Sequence, residues 1–65
     1  MATRTQEKEE IGFKIKLKRI RKRMKQLELA KRAEINSNRL SLIENGWTMP
    51  TQEELQQINR VLEAA

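Results

Sequence analysis

The chain of 65 residues contains no cysteine, no histidine and no aspartate. Without cysteine and histidine, the sequence excludes a disulfide framework and the usual zinc sites, and it predicts neither a metal nor a cofactor. The same side chains perform much of enzymatic acid–base and nucleophilic chemistry, and so short a chain has little room for a cleft, so we expect no enzyme. No uninterrupted apolar run exceeds two residues, which predicts a cytoplasmic protein with neither a membrane span nor a signal peptide.

Residues that break helices or favour strands are also few. The chain has one proline, two glycines and two aromatic residues, and no segment alternates apolar with polar residues. The spacing of its apolar residues therefore predicts four helices and no strand. We expect these helices over residues 9–23, 26–33 and 37–45, and from the Thr-Gln-Glu-Glu capping box at residues 51–54 onward. The polar residues 1–10 are expected to form a partly disordered tail before one domain over residues 11–65.

The net charge of +5 is concentrated in the middle of the chain. Residues 1–10 have a balance of −1, residues 11–50 of +8 and residues 51–65 of −2. Eight of the basic side chains fall within residues 14–25. Because basic residues neutralise phosphates, this distribution favours a polyanionic partner such as nucleic acid. A solvated basic helix face is the alternative, since small proteins often carry one.

The segment QLELAKRAEINSNRLSLIENG, residues 26–46, reads as two short helices joined by about three residues. So short a connection forces a sharp angle between the helices, which is the helix-turn-helix arrangement. Five apolar positions would hold that angle: Leu29, Ala33, Ile35, Leu40 and Ile43. Asn36 is expected to cap the second helix, and Gly46 can take a left-handed conformation after its last turn.

Residues 12–62 resemble the helix-turn-helix domain of the lambdoid phage Cro and CI repressors, a family often called Xre-like. The matching features are Gln26 at the motif start, Ala30 at its fifth position, the five apolar positions, Glu44-Asn45-Gly46, and Pro50 before the fourth helix. The resemblance implies an all-α, compact, four-helix, lambda-repressor-like domain. Arg23 and Glu34 stand where the family often has glycine. A left-handed backbone at such residues costs about 1 kcal/mol relative to glycine.

The resemblance places base-edge contacts at Ser37, Asn38 and Leu42, with Asn36 beside them. These side chains suit the bases of double-stranded DNA. An asparagine amide can hydrogen-bond adenine, a serine hydroxyl can hydrogen-bond several base edges, and a leucine side chain can contact the methyl group of thymine. The alternative is that Asn36 is only a helix cap and the other three are solvated surface.

Contacts to phosphate or bases are expected around these residues. By resemblance Gln26 lies at the family's phosphate-clamp position, where its side chain and nearby backbone N–H groups can hold the anion. The other candidates are Lys18, Lys25, Arg39, Ser41, Asn45 and Trp47. For Trp47 the alternative is a loop residue that covers the small core.

The resemblance also implies one structural ion pair. Arg19 on the first helix and Glu44 at the end of the recognition helix fall at the positions of a pair that joins these helices in the resembling repressors. We therefore expect Arg19 to stabilise the fold rather than to contact DNA. If the pair is buried, removing one partner should cost about 3–5 kcal/mol of stability.

The first helix carries two apolar stripes. Ile11 and Ile15 lie on one stripe, whereas Phe13, Leu17, Ile20 and Met24 follow the other. A domain this small cannot bury both stripes without help. Either Phe13 covers the core near the fourth helix, or Phe13 and Leu17 form a surface for a protein partner or for self-association.

The resemblance, together with the basic middle of the chain, implies a sequence-specific transcriptional regulator that binds double-stranded DNA as a homodimer. Its recognition helices would enter successive major grooves about 34 Å apart on a palindromic operator. We expect a bacterial or phage-encoded, nucleoid-associated repressor that occludes the promoter of a phage, mobile-element, restriction–modification or toxin–antitoxin operon. The alternative is a protein-interaction module, or a non-specific DNA-binding accessory protein, with the same fold.

Overall fold

The computed structural model of the protein describes residues 4–64, in which four α-helices and no strand are found. The helices are α1 (Arg4–Arg21), α2 (Gln26–Arg32), α3 (Ser37–Glu44) and α4 (Gln52–Ala64). The all-α, four-helix class predicted from the sequence is confirmed. No helix within residues 4–64 is long and apolar enough to cross a membrane.

Helix α1 begins at Arg4, well before the predicted start at Glu9. Its first turns consist largely of good helix formers, and Glu7 in the first turn complements the helix macrodipole. Residues 4–10 of the expected tail are therefore helical, while residues 1–3 of that tail lie outside the described residues.

Each of the first three helices is followed, two residues after its last residue, by a residue with a left-handed backbone. These residues are Arg23 (φ 54°), Glu34 (φ 59°) and Gly46 (φ 77°). At each turn the next backbone N–H donates to the carbonyl five residues earlier, as in a Schellman motif: Met24 to Arg19 (3.1 Å), Ile35 to Ala30 (2.8 Å) and Trp47 to Leu42 (2.9 Å). Two of the three turns therefore adopt a glycine-like conformation without glycine.

The core lies where the four helices meet. Its buried apolar residues are Ile15, Met24, Leu29, Ala30, Ala33, Leu40, Ile43, Ile58 and Leu62. Four of the five apolar positions expected to hold the motif are among them, and Ile35 packs at the edge. The sequence placed Met24 and Phe13 on one stripe of the first helix, but Met24 is buried and Phe13 is exposed. They differ because α1 ends at Arg21, and the turn that follows directs Met24 into the core.

Helix α1 crosses α3 at very close range. A Cβ atom added to Gly12 would collide with the backbone carbonyl groups of Ile43 and Glu44. Only glycine fits at this crossing, and the close approach brings the C-terminal end of α3 beside α1. Nothing in the sequence around Gly12 marks a helix crossing, so this contact could not be predicted from it.

The capping box that opens α4 is present as predicted. The Thr51 hydroxyl accepts from the Glu54 backbone N–H at 3.1 Å, and the Glu54 carboxylate accepts from the Thr51 N–H at 2.8 Å. The box fixes where α4 starts and, with it, where the loop after α3 ends.

The left-handed turn between α2 and α3 predicts that Glu34→Gly stabilises the protein. The substitution relieves the Cβ strain at φ 59°, which should raise the free energy of unfolding by about 1 kcal/mol. Urea unfolding followed by circular dichroism measures the change. Glu34→Ala is the matched control: it removes the carboxylate but keeps Cβ, so it should lack this gain. Equal stabilities of the two variants would contradict the argument.

Candidate nucleic-acid interface

The outward face of α3 presents polar and apolar side chains together. Leu40 and Ile43 bury the inner face of the helix in the core. Asn38 and Leu42 are four residues apart, so they lie on one face, and both are exposed. Ser37 and Ser41 are half-buried beside them. Three of the predicted base-contacting residues, Ser37, Asn38 and Leu42, therefore come from one helix that the core holds in place.

Asn36 caps the N-terminus of α3. Its side-chain oxygen accepts from the backbone N–H groups of Asn38 at 2.8 Å and Arg39 at 3.4 Å. Reading an adenine edge with an asparagine uses both the oxygen and the amide nitrogen. While the Asn36 oxygen caps the helix, only its amide nitrogen is available to a base. Asn36 could then donate a hydrogen bond to a base edge but not accept one.

The far end of α3 carries two further candidates. The Asn45 amide nitrogen donates to the Ser41 hydroxyl at 3.4 Å, which keeps both side chains at the surface end of the helix. Trp47 follows in the loop and is 73% exposed. The alternative that Trp47 covers the core is therefore wrong, and its indole remains available to a partner.

Arg19 and Glu44 form the predicted pair between α1 and α3. Arg19 Nε lies 2.8 Å from Glu44 Oε2, and its Nη2 lies 3.0 Å from Oε1. The two side chains are only 12% and 1% exposed. Such parallel N–H···O bonds are the strong, orienting form of an arginine–carboxylate pair.

Two further bonds extend the Arg19–Glu44 pair. Gln26 at the start of α2 donates from Nε2 to Glu44 Oε1 at 3.2 Å. Arg19 Nη1 donates to the Met24 carbonyl at 2.9 Å, in the turn after α1. The pair thus joins α1, α2 and α3, and it orients the side chain at the predicted phosphate-clamp position. The resemblance predicted a phosphate contact for Gln26, but its bond to Glu44, which joins residues 18 positions apart, was not predicted.

Arg39 on α3 is held by a second pair that the sequence did not predict. Its Nε and Nη2 each lie 2.9 Å from a carboxylate oxygen of Glu54 on α4. Its other bonds go to the Thr48 hydroxyl and the Met49 carbonyl, both at 3.2 Å. These partners are in the loop after α3 and in α4, so the guanidinium is oriented towards the loop. To make its predicted contact with DNA, the guanidinium would have to bind DNA as well as Glu54 and the loop.

The Arg39 guanidinium lowers the pKa of the Glu54 carboxyl to about 2 by hydrogen bonding, against an ordinary value of 4.5. Burial opposes this shift, and the Thr51 backbone N–H, which donates to the same carboxylate, contributes to it. The Glu54 bond in turn raises the pKa of Arg39. One carboxylate therefore both caps α4 and anchors α3.

The two predicted lysine contacts lie in different places. Lys25 precedes α2 at its N-cap position, is exposed and makes no side-chain capping bond. Lys18 lines a groove with Asn59 and Leu62 of α4. Lys25 thus lies next to Gln26 at the start of α2, whereas Lys18 lies against α4 and apart from α3.

A family model described as Helix-turn-helix matches residues 15–64, which is well over half of the chain. The chain therefore belongs to the Cro/C1-type, Xre-like helix-turn-helix family, and the resemblance seen in the sequence is confirmed. Members of this family are DNA-binding regulators. No curated protein and no solved structure gives a significant match to the chain.

The Arg19–Glu44 pair predicts a large loss of stability for Arg19→Met. The substitution leaves a carboxylate buried without its partner, which should lower the free energy of unfolding by about 3–5 kcal/mol in urea melts. Combining it with Glu44→Leu should recover much of the loss, because an apolar pair can replace a buried ion pair.

The exposed pair of Arg32 and Glu28 supplies the control. Arg32→Met should change the free energy of unfolding by less than about 1 kcal/mol, as surface pairs contribute little. A similar effect for Arg19→Met and Arg32→Met would show that the buried pair does not hold the helices together.

The lowered pKa of Glu54 predicts a pH-dependent contribution to stability. A carboxyl with a depressed pKa in the folded state stabilises the fold above its unfolded pKa and loses that effect as pH falls towards its folded pKa. The stability difference between wild type and Glu54→Gln should therefore be constant above about pH 5. It should shrink between pH 4.5 and pH 2.

Chemical unfolding at a series of pH values measures this difference. Glutamine still completes a capping box, so the variant tests the ion pair rather than the cap. Glu53→Gln, one residue earlier and exposed, leaves the Arg39 pair intact and serves as the control. A pH-independent difference for Glu54→Gln would mean that the pair does not persist in solution.

Proposed function

We propose that the protein is a sequence-specific, double-stranded-DNA-binding transcriptional repressor in which α3 enters the major groove. The main support for this proposal is that Asn38 and Leu42 lie exposed on a helix that ion pairs anchor on both sides. Asn38 makes no side-chain hydrogen bond within residues 4–64, so its amide can bond a base edge. Leu42 lies one turn further along, where its methyl groups can meet the methyl of thymine.

Phosphate contacts would set the register of α3 in the groove. Gln26 is oriented by Glu44, so an anion meets a side chain that is already positioned. Lys25 and the indole of Trp47 lie exposed on the segments before α2 and after α3. Ser41 and Asn45 add polar groups along α3. The +8 balance of residues 11–50 supplies the attraction that does not depend on sequence.

On this proposal the protein acts by binding alone, in the cytoplasm, and not as an enzyme. Two copies would occupy a palindromic operator and block access to the promoter. Operons of phages, mobile elements, restriction–modification systems and toxin–antitoxin systems are the settings in which such a small repressor would serve.

Selection of bound duplexes from a random DNA pool, at two salt concentrations, tests the proposal. Two inverted half-sites about one helical turn apart are the expected result. A single half-site would support specific recognition by one copy and contradict the dimer. Binding without an enriched motif, lost as salt rises, would leave only phosphate attraction and overturn the proposal.

Asn38→Ala should weaken binding to the selected site by about 1–3 kcal/mol and relax the preference at one base pair of each half-site. The cap on α3 should survive, because Asn36 bonds the backbone rather than the side chain of residue 38. Fluorescence anisotropy of labelled duplexes measures both effects. Gln56→Ala on the exposed part of α4 is the control. Unchanged affinity and preference for Asn38→Ala would remove α3 from the interface.

A further inference from the structure

Helix α1 keeps an apolar stripe that the domain leaves uncovered. Phe13 is 60% exposed and Ile20 is 52% exposed, while Leu17 between them is half-buried. The spacing of four and then three residues places these side chains on one face. The alternative that Phe13 covers the core is therefore wrong. Ile15 points into the core from the other side of the helix.

The edge of this stripe carries opposite charges at its two ends. Glu10 and Arg21 lie about three helical turns apart, hence along the same edge. Both are exposed, and neither forms an ion pair within residues 4–64. The balance of charge along α1 changes in the same sense. Glu7, Glu9 and Glu10 outnumber Arg4 and Lys8 in the first part of the helix, whereas every charged residue of α1 from Lys14 onward is basic.

We propose that the stripe of Phe13, Leu17 and Ile20 is a self-association surface on which α1 of a second copy packs antiparallel. A two-fold axis that crosses α1 near residues 15 and 16 would set Phe13 of one copy beside Leu17 of the other. The same axis brings Glu10 opposite Arg21 of the second copy, twice by symmetry. A parallel pair would instead oppose like charges at both ends.

The size of this surface predicts a weak dimer. An α1 helix of 18 residues is about 27 Å long, and one helix pair buries less area than a standard stable interface. Association should therefore depend on protein concentration in the micromolar range and above. Two half-sites on one duplex would strengthen it, because the second copy then binds at a high effective concentration.

This inference deepens the proposed function, since it identifies the surface through which two copies on an operator would meet. The stripe shares no residue with the α3 face of Asn38 and Leu42 or with Gln26. DNA binding and self-association can therefore be measured separately, and each can fail without the other.

Sedimentation equilibrium of the full chain without DNA tests the stripe. The wild type should show a monomer–dimer equilibrium. Phe13→Gln should raise the dimer dissociation constant about tenfold or more, since exposed aromatic anchors dominate small interfaces. Leu27→Gln, which also removes an exposed apolar side chain but from α2, is the matched control and should leave the constant unchanged. Thermal melts verify that each variant is folded.

Charge exchange tests the antiparallel orientation. Glu10→Lys and Arg21→Glu should each weaken the dimer by placing like charges opposite each other. The double variant should restore wild-type association, because the opposed pair is re-formed with its signs exchanged. Its net charge is again +5, so overall repulsion is unchanged. A parallel pair would gain nothing from the exchange.

Three results would overturn the inference. The first is a monomer at every concentration up to the millimolar range, and the second is a dimer that Phe13→Gln leaves intact. The third is a double variant as weak as the two single variants. If any of these accompanies selection of a specific DNA site, the proposed function stands and only this surface fails. A dimer disrupted by Phe13→Gln, in a protein that selects no DNA site, would support the surface and overturn the proposed function.

Discussion

The carboxylate of Glu44 is the constraint on which the arrangement of the first three helices depends. A carboxylate that is 1% exposed must be paired, because an isolated buried charge is strongly unfavourable. Arg19 supplies the pair from α1 and Gln26 adds a bond from α2. The close crossing at Gly12 makes this geometry possible, since it brings the end of α3 against α1. The direction of α3 is therefore set by charge satisfaction as well as by apolar packing.

A second arginine–glutamate pair holds α3 from the other side. Arg39 binds Glu54 of α4 and the loop between the helices. The helix is thus tied to α1 and α2 at its C-terminal end and to α4 near its start. Arg39 and Glu44 make these contacts, so the exposed side chains of Asn38 and Leu42 are not needed to hold α3 in place. In the proposed DNA complex, a helix held in this way would lose little conformational entropy on binding.

Helix α1 packs against the domain on one side and leaves an apolar stripe exposed on the other. One side of the helix packs Ile15 in the core and sends Arg19 to Glu44. The other side presents Phe13 and Ile20 to solvent. An exposed apolar stripe lowers solubility unless something covers it. In the proposed antiparallel pair, a second copy would supply both apolar contact and opposite charge.

The sequence by itself determined the helical class, the motif turn, the capping box at Thr51 and most of the core, since these depend on local spacing and backbone preference. It also indicated the Arg19–Glu44 pair, through family resemblance. It did not indicate that Arg39 would bind Glu54, that Gly12 marks a helix crossing, or that Met24 would be buried while Phe13 stays exposed. Those outcomes depend on contacts between residues distant in the chain. Only the tertiary structure decides them, because helix packing sets which side chains meet and which stay exposed.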